Sequence, residues 1–237
     1  MIVLFNLIGQ PMLNLAAIRN QSLPYILSSI GMITLLFYLD VRAADVQVLV
    51  VSESQQPLVN AVIVIEPLGQ PLNNTFNATA QVAQIDRAFV PHVQVVQTHT
   101  SVSFPNHDDV RHHVYSFSEA KRFELPLYQG TEAAPVVFDQ AGIVTLACNI
   151  HDQMLGFVYV TDSPWFAVTN ASGQAMLRVP DASDYRLRVW HPSLGANESG
   201  VEAQYTADQL HALVVTLEPP LLDSRRLIRR TLPSHPH

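Results

Sequence analysis

The chain has 237 residues, enough for one large or two modest domains, each with its own core. Apolar residues make up 48% of it and charged residues 14%, well below the roughly 25% charge of an average soluble domain. With 13 Lys and Arg against 20 Asp and Glu the net charge is −7, which excludes nucleic acid as a natural partner, and the single cysteine excludes any intramolecular disulfide.

Much of the apolar skew sits between Met1 and Leu39, where Arg19 is the sole charge. Residues 1–43 read as a signal peptide or membrane anchor. Arg19 supplies the positive n-region, "LPYILSSIGMITLLFYL" the apolar h-region, and Val41-Arg42-Ala43 a small-residue cleavage site, so cleavage is expected after Ala43. The uncharged stretch ahead of Arg19 is unusual for a signal, which leaves Met12 as an alternative start and a retained helical anchor as the alternative to cleavage. Both options carry residues 44 onward across the membrane, giving an exported, periplasmic protein.

From Ala44 the chain alternates β-branched runs with turn chemistry: "VQVLVV", "AVIVIEP", "HVQVVQ", "SVSF", "HHVYSF", "PVVFD", "GIVTLAC", "GFVYV", "AMLRV", "YRLRVW" and "ALVVTL". No stretch sustains a helical period. Short strands at this spacing, punctuated by Pro, Asn, Asp and Gly, predict an all-β protein built of sandwiches or barrels. The amide-rich "LGQPLNNTFNATA" (Leu68 to Ala80) and the proline-broken "TDSPWFA" (Thr161 to Ala167) read as junctions between domains. Residues 219–237, with four arginines and no periodic apolar face, read as a flexible basic tail.

Cys148 is the residue that most needs a role, because a lone thiol in an oxidising compartment is vulnerable unless buried or ligated. It opens the pattern Cys148-x2-His151-x2-Met154, placed between the predicted strands "GIVTLA" and "GFVYV", so three soft or borderline donors share one tight loop. Thiolate, imidazole and thioether together suit copper, since sulfur favours the reduced ion and imidazole accepts both oxidation states. A fourth ligand must come from elsewhere. "RHHVYSF" offers His112 and His113, whose side chains should point to opposite faces of a strand, so only one can reach the metal.

These residues carry a resemblance. From about Gln81 to Thr161, with "FVPHVQVVQTHTSVSFPN", the His-x-Val strand and "CNIHDQMLGFVYV", the chain resembles the cupredoxins of the plastocyanin and amicyanin group, and its ligand loop has the short amicyanin length. The resemblance implies a Greek-key β-sandwich over 81–161 binding one copper ion, with His112, Cys148, His151 and Met154 as ligands. His113 stands where those families usually have an asparagine that ties the ligand loops together. Residues 45–67 and 165–218, each too short to bury a core alone, resemble the two halves of a carboxypeptidase regulatory-like, or prealbumin-like, β-sandwich. That implies a cupredoxin inserted into a second, discontinuous sandwich; the alternative is that Asp45 to Pro67 adds edge strands to the cupredoxin itself. The combination is similar to exported proteins labelled methylamine-utilisation proteins, a label that does not establish a pathway.

The function these readings imply is that of a blue copper electron carrier, not an enzyme, which meets redox protein partners by weak, transient docking near His151, with Ile150, Leu155 and the charge of Asp152 around it. A copper-binding or copper-delivery module is the alternative. Structural zinc would recruit another cysteine or histidine in place of a thioether. A nitrite-reductase-like oxidase needs a second, catalytic metal for which the sequence offers no place. His92, His99, His107, His191 and His211 read as surface or structural histidines.

Overall fold

Two of the apolar runs, "AVIVIEP" and "GFVYV", lack the alternation of a half-exposed strand, and the computed structural model explains why: both lie in sheets covered on each face. The structure describes residues 43–72, 78–130, 134–151, 153–196 and 199–218. The expected leader, apart from Ala43, and the expected basic tail lie outside the described residues, as does Asp152. No helix among the described residues is long and apolar enough to cross a membrane.

The described chain is all-β. Strands β1 (Ala43–Ser52), β2 (Val62–Pro67), β3 (Thr79–Gln81), β4 (Ala83–Ile85), β5 (Ala88–Val90), β6 (Val93–Gln97), β7 (Thr100–Ser103), β8 (His112–Ser118) and β9 (Lys121–Tyr128) come first. They are followed by β10 (Val136–Phe138), β11 (Gly142–Cys148), β12 (Leu155–Thr161), β13 (Phe166–Val168), β14 (Gln174–Pro180), β15 (Asp184–Trp190), β16 (Val201–Thr206) and β17 (Ala212–Leu217). They form sheets in the orders β14-β1-β17, β13-β2-β15-β16, β6-β12-β11-β8-β9 and β10-β7-β3, and β4 and β5 make a separate hairpin. β1 and β2 pair with β14, β17, β13 and β15, and with no strand between Gln81 and Thr161, so Asp45 to Pro67 adds no edge to the sheets of that segment.

Strand periodicity then stacks the four sheets as layers. On β2, Ile63 and Ile65 face a core shared with Val46, Val48, Val50, Leu187 and Val215, while Val62 and Val64 face the other way, toward Val93, Val95, Phe157 and Tyr159. On β12, Phe157 and Tyr159 join that second core, and Val158 and Val160 turn to a third with Val102, Phe104 and Phe138. The β2 and β12 sheets are therefore inner layers. Strands buried on both faces carry continuous apolar runs, as these do.

Trp190 closes the contact between the inner layers. Fully buried, it packs against Phe157 at 5.3 Å and Tyr159 at 5.8 Å between ring centroids, and its indole N–H donates to the Gly195 carbonyl at 3.0 Å. Four residues along the same strand pair, Glu66 stands opposite Arg186 and pairs with Arg186 and Arg188, and burial pushes the Tyr159 phenol above its usual pKa. Trp190→Ala should cost about 3–5 kcal/mol, as truncation of a buried aromatic does. Denaturant titration followed by β-sheet circular dichroism measures it; a loss below about 1 kcal/mol would mean that the layers hold together without this ring.

Candidate metal centre

Register brings the donors together. β8 and β11 run antiparallel with Cys148 opposite Val114, and opposite residues share a face, so the thiol lies on the side of Val114 and of His112 two positions before it. That side is the core containing Phe104, Val114, Leu146, Cys148 and Met154. β8 pairs on its other edge with β9, where the register slips between His112 and Val114: His112 is opposite Tyr128 and Val114 opposite Leu125. Pro126, which has no N–H to give, sits on β9 at this irregularity, as proline in an edge strand should.

His112 and His113 diverge as their parity requires. The His112 ring is fully buried and its Nδ1 lies 3.7 Å from Cys148 Sγ. The His113 ring instead stacks obliquely on Tyr115, 5.3 Å between centroids, with Nε2 at 2.9 Å from Glu124 Oε1, close enough for an ion pair but without hydrogen-bond alignment.

The third donor comes from the β11–β12 connection, which the Met154 N–H closes by donating to the His151 carbonyl at 2.9 Å. That turn directs His151 Nδ1 to 3.9 Å from Cys148 Sγ, with its ring 5.0 Å from that of His112. Thus His112, Cys148 and His151 present one ligand atom each, all within 4.8 Å of one another, and they are the metal-type His, Cys and acidic cluster found among the described residues. Cys148 is a free thiol at 5% exposure; Met154, at 3%, belongs to the same buried cluster.

Does this set fit a metal? An ion bonded at about 2.0 Å to nitrogen and about 2.3 Å to sulfur, with near-trigonal angles, holds those atoms roughly 3.6–3.8 Å apart. The His112 separation, 3.7 Å, falls within that span, and the His151 separation, 3.9 Å, is 0.1 Å above it, so a shift of that order at the His151 loop completes the fit. Both imidazoles offer the same nitrogen, Nδ1. Desolvation, then the charges of His112 and Arg87, push the His151 pKa down against the opposing pull of Asp108, which favours the neutral imidazole a ligand must be.

The sequence reading missed Asp108. Its Oδ2 accepts a hydrogen bond from His112 Nε2 at 2.7 Å, and the carboxylate also accepts from the backbone N–H groups of Asp86 and Arg87 at 2.7 and 2.9 Å. Burial alone would raise its pKa; the bonds from Arg87, His112 and Asp86 outweigh that and hold it below the usual carboxylate value. The loop carrying it is tied down by Asn106, whose amide donates to Val110 and Tyr128 carbonyls at 2.8 and 3.0 Å and whose Oδ1 accepts from the Asp108 N–H at 2.9 Å. The available signal was an acidic residue in a polar loop, four positions before a candidate ligand histidine.

Other histidines take structural positions. Burial lowers the pKa of His92, which packs edge-on against Phe157 at 5.6 Å, and of His191, which bonds Ser193 and the Val59 carbonyl.

No protein-family model and no curated protein matches the chain. Among solved structures it is similar to a purple cupredoxin from Nitrosopumilus maritimus, at 22% identity over 35% of this chain and 99% of that one, with a TM-score of 0.32. A pseudoazurin from Methylobacterium extorquens AM1 is 21% identical over 36% of this chain and 76% of its own, with a TM-score of 0.31. A reduced amicyanin variant is 18% identical over 40% and 97%, with a TM-score of 0.33.

Proposed function

We propose that the chain is an exported type 1 copper protein that carries single electrons between redox proteins and turns over no substrate of its own. The observation that supports this most is the convergence of two imidazole Nδ1 atoms on the one thiol of the chain. Copper held there would supply a one-electron Cu(I)/Cu(II) couple.

The chain's part is to keep the donors where both oxidation states accept them. His112 and Cys148 stand on neighbouring strands of a doubly covered sheet, so neither moves without disturbing packed side chains. His151 is half-buried on the connecting loop beside Ile150, which is 47% exposed, and this apolar rim is the proposed docking face. Redox partners meet through small, weak interfaces, for which a few such residues suffice.

Met154, buried in the same cluster as Cys148, would hold the copper as a weak fourth donor. Met154→Leu should keep the blue colour and raise the reduction potential, because a weak thioether donor would stabilise Cu(II) slightly over Cu(I) and its loss would favour the reduced ion. Voltammetry of the variant checks the sign; a fall in potential would remove Met154 from the ligand set.

Voltammetry of the copper-loaded protein in the presence of a Cu(I) chelator tests the carrier reading itself. A carrier gives a reversible one-electron wave with the metal retained in both states. Loss of copper to the chelator on reduction would instead mark a copper-delivery module.

A further inference from the structure

We infer that Asp108 is a positioning residue that sets the tautomer and ring orientation of His112 and, through it, lowers the reduction potential of the metal centre. The inference rests on the reading of His112 as a copper ligand.

The hydrogen-bond inventory fixes the proton. Asp108 receives three donors: the Asp86 N–H on Oδ1, and the Arg87 N–H and His112 Nε2 on Oδ2, at 2.7, 2.9 and 2.7 Å. An ionised carboxylate only accepts, so at 2.7 Å the imidazole must carry its proton on Nε2. The proton on Nδ1 would set two lone pairs against each other. With Nε2–H fixed, the lone pair is on Nδ1, the atom 3.7 Å from Cys148 Sγ. Water is a poor substitute for the carboxylate, because the His112 side chain is fully buried and that of Asp108 is only 10% exposed.

The same carboxylate holds the tip of the β4–β5 hairpin. Asp86 and Arg87, with φ of 53° and 59°, form a two-residue turn in the left-handed region without glycine, so their conformation has to be supported from outside. Asp108 clasps both of their N–H groups. Turn and ligand therefore share one anchor, which keeps the carboxylate oxygen directed at Nε2. A negative charge bonded to a ligand imidazole makes it a better donor and stabilises Cu(II) more than Cu(I).

The test uses the full-length protein. In the metal-free wild type, 15N spectroscopy of the histidine side chains should find His112 protonated at Nε2, and Asp108→Ala should shift it toward the other tautomer. In the loaded protein, Asp108→Ala and Asp108→Asn should retain the blue band, weaken Cu(II) binding about 10–100-fold, weaken Cu(I) binding less, and so raise the potential. Asp86→Gly and Arg87→Gly in the Asp108→Ala background separate the two roles: they relax the turn and should leave potential and affinity unrestored. Restoration would make Asp108 a turn clasp only and overturn the inference, as would a wild-type His112 protonated at Nδ1 or a potential unchanged in Asp108→Ala. If the wild type bound no copper the functional reading would fail, and the metal-free tautomer would still decide the role of Asp108.

Discussion

Cys148→Ser should give a folded protein that copper no longer turns blue. The colour of such a site comes from charge transfer between a thiolate and Cu(II), and Cys148 is the chain's one source of a thiolate. A serine hydroxyl stays protonated near neutrality and is a hard donor poorly matched to Cu(I). Copper affinity should therefore fall by more than the roughly 10–100-fold seen when only a supporting partner of a ligand is lost. The fold should survive, since serine has the shape of cysteine with a slightly smaller end atom and forces no neighbour to move. Copper titration with visible spectroscopy, alongside circular dichroism, reads both effects. A variant that remained blue would remove Cys148 from the centre.

His112→Ala and His113→Ala should differ as sharply as two neighbouring substitutions can. The first removes a buried imidazole that touches both the thiol and Asp108, and leaves that carboxylate with one donor fewer. The blue band should be lost and copper binding greatly weakened. The second removes a ring from the opposite face, where its charged neighbour Glu124 is well exposed, and contacts of that kind contribute about 0–1 kcal/mol. Its spectrum should stay blue with at most a small shift. Spectra of both variants with one equivalent of copper decide the matter, and the reverse ranking would mean that the β8 register is displaced by one residue.

What could be read from the sequence follows the physics of each feature. The His112, Cys148 and His151 cluster was legible because chemistry and spacing coincide: Cys148 and His151 are three residues apart, and strand parity separates His112 from His113 before any coordinates are known. The all-β character was legible from β-branched runs broken by turn residues. The stacking of inner layers was not, since Val62, Val64, Phe157 and Tyr159 look the same in sequence whether they meet solvent, a ligand or another sheet. Trp190 is one residue in a strand until the topology sets it against Phe157. Asp108 escaped for a related reason. Its partners come from a turn about twenty residues earlier and a strand four residues later, and only the folded hairpin brings them to one carboxylate.

These layers also bear on the proposed role. The cluster ending in Cys148 and Met154 is backed by a sheet whose other face is filled by Phe157, Tyr159 and Trp190. Packing of that density transmits strain and resists local movement, which suits a centre that must change charge with little change in geometry.

The central claim, one copper ion held by the Cys148 thiolate with two imidazoles, is tested most directly by visible and EPR spectra of the purified protein titrated with Cu(II). The account predicts saturation at one equivalent, an intense thiolate-to-copper absorption in the visible range, and the narrow copper hyperfine splitting of a thiolate-bound type 1 site. A colourless complex with the wide splitting of ordinary nitrogen and oxygen coordination, or saturation at any other stoichiometry, would contradict it.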